Sequence, residues 1–338
     1  MKMHLHDLER KDAMTLRRSL PLILGLSAAL QAPVQAQPYP TRQITLISPT
    51  TAGGANDMIC RILGAQLADR LGKPVVIENR PGAGFVTGTA AGARAAPDGY
   101  TLVMPGSSAL AANVTIYRNL PYDPTKDFAP VARVTEVPLI LAIHPSLPVR
   151  SVPEFVKLAK ERRGQLSYAS GGPGSPSHLF AELFKNLTGI EMIHVPYKGS
   201  PQAVADVAGG HVPVIFGDPV SSLPLINEGK LRALGVSTKT KFPPAPEIPP
   251  LGEVGVPGFD ASAWTMIVAP AKTPTEIVNR LHTELSSIVG LPDIQQRMVK
   301  LGVIPVISPP PQDLQRFINS EIVRWAKVVH QAGIAGSE

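Results

Sequence analysis

Two runs of small residues hold the groups best suited to chemistry in this chain. The first is Pro49-Thr50-Thr51-Ala52-Gly53-Gly54-Ala55-Asn56, the second Gly171-Gly172-Pro173-Gly174-Ser175-Pro176-Ser177. Each stands between a short apolar run and a pattern of helical period, so nearly bare backbone is delivered to the positive end of a helix, where unpaired N–H groups point outward. One such place suits an anion, and two in one chain suggest a clamp. Other groups invite different chemistry. Ser175, Ser177, His178 and Asp218 contain the residue types of a hydrolase, but Gly172-Pro173-Gly174-Ser175-Pro176 is not a nucleophile elbow, which needs glycine two positions to either side of the serine. Asp218 follows an apolar strand and suits either a helix cap before Pro219 or an acceptor for a ligand hydroxyl or ammonium. Gly82-Ala83-Gly84-Phe85-Val86-Thr87-Gly88 imitates a dinucleotide fingerprint, yet its last glycine is one residue late and no acidic residue ends a following strand; an ordinary strand-to-helix turn is the better account. The eight histidines are scattered, with no pair four apart on a helix and no cysteine partners, so no metal is expected. No cofactor is expected either.

The elements that must position these loops alternate. Ile44, Leu46 and Ile47 suit a strand, and Met58, Ile59, Ile62, Leu63, Leu67 and Leu71 mark one buried face of a helix that Asn56 or Asp57 can cap and Gly72 ends. Strands near 74–77 and 100–104 follow, with an Ala/Gly-rich helix between them. Leu166 to Ser170 reads as a strand before the second loop, and Leu179, Phe180, Leu183, Phe184 and Leu187 as the apolar side of the helix after it. Further strands are expected at 192–195, 214–216, 231–237, 261–269 and 303–307, and long helices at 274–289 and from Pro311 to about Ala332. Strand and helix in turn argue for an α/β architecture. In open α/β sheets ligands sit beyond the carboxyl ends of strands, where both loops lie.

The 338 residues, 44% of them apolar, can bury a substantial core and favour two domains. The formal charge of +6 falls to +4 once residues 1–36 are set aside, and no Lys/Arg block is interleaved with aromatics, which argues against nucleic acid. Arg17 and Arg18 precede an apolar run, Leu20 to Leu30, and Val34-Gln35-Ala36 supplies small residues for cleavage near Ala36. That run is short for a membrane span. The expectation is an exported, periplasmic protein that is not membrane-embedded. Cys60, the single cysteine, lies on an apolar helical face and reads as core.

Dispersed blocks in one order resemble a known family. They are Pro49 to Asp57, Glu78 to Gly84, Ala96-Pro97-Asp98-Gly99-Tyr100, Leu120-Pro121-Tyr122-Asp123, Lys126-Asp127-Phe128, Tyr168 to His178, His194 to Gly199 and Gly229 to Leu234. From Tyr39 onward the chain resembles the Bug proteins, exported substrate-binding components of tripartite tricarboxylate transporters. The resemblance implies a two-lobed type II periplasmic-binding-protein fold, each lobe a mostly parallel sheet flanked by helices, hinged by two crossings. Its parts would be a signal peptide over 1–36, a first lobe over 37–138 and 261–338, and a second lobe over 139–260. It implies capture of a small carboxylate, with Thr51, Ala52, Gly53, Gly54, Asn56 and Asp57 on one side and Gly171, Gly174, Ser175 and Ser177 on the other. Thr50 stands where the family usually has a bulky aromatic, and Ser107 and Ser108 depart from its usual pattern. With Asp218, these three positions would set specificity toward the distal part of the ligand. Membrane permease subunits are the implied partners; a membrane sensor kinase is a second possibility, and a secreted hydrolase using Ser175 or Ser177 a third.

Overall fold

The computed structural model describes residues 39–338; the leader expected over 1–36 lies outside them. Residues 40–338 form one compact unit with the expected two-sheet α/β architecture. The chain opens with β1 (Ile44–Ser48), α1 (Ala55–Leu71), β2 (Val75–Asn79), α2 (Val86–Ala93), β3 (Thr101–Val103), the short α3 (Asn113–Ile116) and the long β4 (Phe128–Val137). It continues through β5 (Ile140–Ile143), α4 (Val152–Glu161), β6 (Ser167–Ser170), α5 (Pro176–Thr188), β7 (Ile193–Pro196), α6 (Ser200–Ala208), β8 (Val214–Gly217), α7 (Pro219–Asn227) and β9 (Arg232–Val236). Then come β10 (Ala263–Pro270), α8 (Thr275–Val289), α9 (Pro292–Lys300), β11 (Ile304–Pro305) and α10 (Pro311–Gln331).

One sheet has the order β11-β4-β10-β3-β1-β2 and the other β7-β6-β8-β5-β9. Each is parallel where strand-helix-strand units wind, β1 with β2 and β3, β6 with β7 and β8. Elsewhere each is antiparallel, β10 with β3 and β4, β4 with β11, and β5 with β8 and β9, so the sheets are mixed rather than mostly parallel as expected. The chain leaves the first sheet between Val137 and Ile140 and returns between Val236 and Ala263. Every residue of β10, Ala-Trp-Thr-Met-Ile-Val-Ala-Pro, is buried, as a strand covered on both faces requires. The strand expected over 303–307 is shorter. Pro305 has no N–H for the ladder, and Pro309, Pro310 and Pro311 follow closely.

The C-terminal helix α10 packs against both β4 and α5, through buried Leu314, Ile318, Trp325 and Val329. The Trp325 indole stacks on Phe180 of α5, centroids 5.7 Å apart. Buried Glu321 accepts hydrogen bonds from two indoles, Trp264 Nε1 at 2.8 Å and Trp325 Nε1 at 3.2 Å, which gives this carboxylate the partners that burial demands.

Candidate functional site

A cavity of about 520 Å³ opens between the two sheets. The β1–α1 loop forms one wall. Ser48 and Thr50 share a hydroxyl hydrogen bond of 2.9 Å, and Gly53 turns the chain at φ 83°. The Gly53 N–H donates to Asp57 Oδ2 at 2.9 Å; Asn79 Nδ2 donates to Asp57 Oδ1 at 2.9 Å and to the Thr50 carbonyl at 3.1 Å. Arg61 Nε closes the cluster on Asp57 Oδ2 at 3.0 Å. Burial opposes ionisation of Asp57, but the hydrogen bonds from Arg61, Gly53 and Asn79 prevail and hold it below the ordinary carboxylate range. Asp57 is therefore the knot that shapes the loop. Helix α1 begins at an extended Gly54 with no side-chain cap, so its first N–H groups stay open. Asn56 Nδ2 donates to the Met104 carbonyl at 3.1 Å, while its Oδ1 is buried beneath the surface without a partner among the described residues.

The β6–α5 loop forms the opposite wall and largely satisfies itself. Gly171 N–H donates to Ser177 Oγ at 2.9 Å, Gly172 N–H to Ser170 Oγ at 3.1 Å, and Gly174 N–H to His178 Nδ1 at 3.1 Å. Ser175 caps α5 by accepting from the His178 N–H at 3.4 Å, and the Ser175 and Ser177 hydroxyls lie 3.0 Å apart. Pro176 has no N–H and the His178 N–H is taken by Ser175, so the donors left at this wall are the Ser177 N–H and the hydroxyl proton not used in the Ser175–Ser177 bond. Behind it the His178 and His194 rings stack at 4.0 Å, with Tyr168 stacked on His194 at 5.1 Å. An Nδ1 that accepts from Gly174 requires a neutral imidazole with its proton on Nε2. Burial, reinforced by the Lys185 charge, pushes His178 down to about 4; burial, then His178 itself, does the same to His194.

Of the residues expected at the site, Thr50, Thr51, Gly53, Gly54, Asn56, Ser107, Gly171, Ser175, Ser177 and Asp218 line the cavity. Ala52, Asp57, Ser108 and Gly174 stand outside its lining. Ala52 is turned to solvent, Asp57 points into its own loop, Ser108 is fully buried, and Gly174 faces the neighbouring Asn113. The amides of Gly53, Gly171 and Gly174, expected to face a ligand, are engaged within their own loops, which leaves the α1 start and the serine hydroxyls as the unsatisfied groups on the walls. Asp218 is both a cap and a wall residue: Oδ1 accepts from Ser221 N–H at 2.9 Å and Oδ2 from the Ser200 hydroxyl. A hydrolase relay is not assembled, because the His178 ring is bound to Gly174 and Asp218 to Ser200 and Ser221.

Sequence reasoning missed Phe85 and Trp264, both cavity-lining aromatics. Phe85 holds φ 75°, the left-handed region, which costs an L residue about 1–2 kcal/mol. Its place after Gly82 and Gly84 was the available signal, read only as a turn.

The family model described as "Tripartite tricarboxylate transporter family receptor" matches residues 59–334. Protein BugT of Bordetella pertussis is 38% identical over 308 residues, spanning 91% of this chain and 94% of BugT. Among solved structures, R. palustris Rpa4515 with adipate has a TM-score of 0.83 at 39% identity, covering 88% of this chain and 99% of its own. MatC from Rhodopseudomonas palustris with bound malate has a TM-score of 0.79 at 33% identity, covering 86% and 100%. Two opposed small-residue loops on one cavity, and a match of this extent, place the chain in the tripartite tricarboxylate transporter receptor family.

Proposed function

We propose that this chain is a periplasmic solute-binding receptor that captures a small carboxylate and hands it to membrane permease subunits. One observation carries the reading: the uncapped start of α1 and the serine-bearing start of α5, rooted in different sheets, open on the same cavity. Each helix start contributes about 0.3–1 kcal/mol toward an anion when exposed and up to about 2 when partly buried. Exposed Lys198 adds a positive charge to the lining. Relatives with adipate and malate support a carboxylate as cargo. The lobes, 37–138 with 261–338 and 139–260, swing about the crossings near residues 138 and 261 and exclude water from the captured anion. Capture needs no covalent step, and among the described residues no helix is long and apolar enough to cross a membrane. Isothermal titration with mono-, di- and tricarboxylates is the test; binding of at least one is expected, and silence across the panel refutes the reading.

A further inference from the structure

Phe85 is a residue in the wrong conformation for its type. Among the described residues only Phe85 and Lys272 hold a positive φ without being glycine, and Phe85 alone of the two lines the cavity. The strained backbone is held from several sides. Thr89 Oγ1 donates to the Phe85 carbonyl at 2.8 Å, and Asn113 Nδ2 to the Gly84 carbonyl at 3.1 Å. A Cβ on Gly84 would stand 2.9 Å from the Pro173 carbonyl, so this turn lies hard against the opposite loop. Glycine would meet the backbone demand without strain, so a phenyl ring kept there points to a use for the ring. The ring lies beside Gly106, where a Cβ would stand in ordinary van der Waals contact with Phe85 Cε2, at 3.9 Å.

The rest of the cavity body has the same character. Ile59, Val137, Leu139, Phe216 and Trp264 line it with Phe85. Thr135 and Thr265 bond each other at 2.7 Å, and Asp218 accepts from the Ser200 hydroxyl and the Ser221 N–H, while the unpartnered Asn56 Oδ1 belongs to the α1 wall rather than to this apolar set. A ligand hydroxyl buried against these apolar side chains would give up water without gaining a partner from them, a cost that an unsubstituted body does not carry. We propose that Phe85 is a specificity-determining contact, and that the cargo is a carboxylate on an apolar body, an arene or an unsubstituted chain, rather than a hydroxylated carboxylate. This rests on the receptor reading above.

The test is isothermal titration of the purified full-length chain with benzoate, hexanoate and adipate against malate, tartrate and citrate. At least one of the first three should bind about tenfold or more tighter than every hydroxylated probe. Phe85→Gly and Phe85→Ala should both lose about tenfold or more for that ligand, with the glycine variant melting higher than the alanine one because it relieves the strain. Tighter binding of a hydroxylated probe overturns the inference and leaves the receptor reading standing. Wild-type affinity in both variants overturns the role of Phe85. No binding by any of the six overturns both the inference and the reading beneath it.

Discussion

Gly174 lies against Asn113 across the cavity walls, and that contact can be tested with one methyl group. Gly174 belongs to the loop after β6 and Asn113 to the first turn of α3, so the contact joins segments anchored in different sheets. A Cβ at Gly174 would stand 2.6 Å from Asn113 Oδ1 and 3.3 Å from Ile116 Cδ1, with φ at +70°. Asn113 is fully buried and pinned through Nδ2 on the Gly84 carbonyl, so its amide cannot swing away without losing that bond. Gly174→Ala therefore has two costs that separate by assay. The left-handed strain, about 1–2 kcal/mol, acts in every folded state and lowers Tm. The overlap with Asn113 acts only when the sheets stand as described, and overpacking of this kind costs about 1–3 kcal/mol. On a carboxylate that binds the wild type, this becomes a loss of roughly five- to 150-fold in Kd. Asn113→Ala removes the obstructing oxygen, at about 1 kcal/mol for the lost bond to Gly84. The double variant should recover affinity relative to Gly174→Ala without recovering Tm. An unchanged Kd in Gly174→Ala, or a double variant no better than the single, would refute the reasoning.

Ser177→Ala strands the Gly171 N–H and removes a hydroxyl from the cavity wall, so carboxylate affinity should fall by about 1–2 kcal/mol, read by titration; an unaltered Kd would mean that Ser177 only shapes the loop. His178 and His194, held near about 4 when folded against an ordinary 6.5, take up protons more readily in the unfolded chain. Stability is then full above about pH 6.5 and declines toward pH 4, by on the order of 3 kcal/mol from His178 alone, with Tyr168, Glu182 and Lys185 as the neighbouring groups. Urea denaturation from pH 7.5 to 4.5 checks this, and a flat profile contradicts it. Burial pushes the Cys60 thiol up to about 12, so a thiol-specific reagent should label it no faster than the chain unfolds, and prompt labelling of the folded protein would place Cys60 at the surface.

Much of the architecture was legible because local signals agreed. A small-residue run between an apolar strand and a helical period located both the loop at Pro49 to Asn56 and that at Gly171 to Ser177. What each amide does inside those loops was not legible. Whether the Gly53 N–H is open or bound to Asp57 depends on a side chain turning back through the loop, and Asp57 is steadied in turn by Asn79 from the next strand. Composition cannot rank these partners, because a bare backbone favours the turn in either case. Phe85 escaped for a related reason: a glycine-rich turn announces freedom of the backbone, and nothing local says that a bulky residue beside it has been forced into the same region. Trp264 was read only as part of a strand; that it faces a cavity follows from how the two sheets meet, which pairwise spacing does not encode.

The β6–α5 loop keeps its form through its own hydroxyls and imidazole, and it needs no cargo to hold it in shape. On the proposed reading, its hold on a charged end would be separate from whatever fills the middle of the chamber. Replacing side chains such as Phe85 or Leu139 should retune what is carried while the anchorage is inherited unaltered. That division of labour gives a single scaffold a short mutational route to new diets.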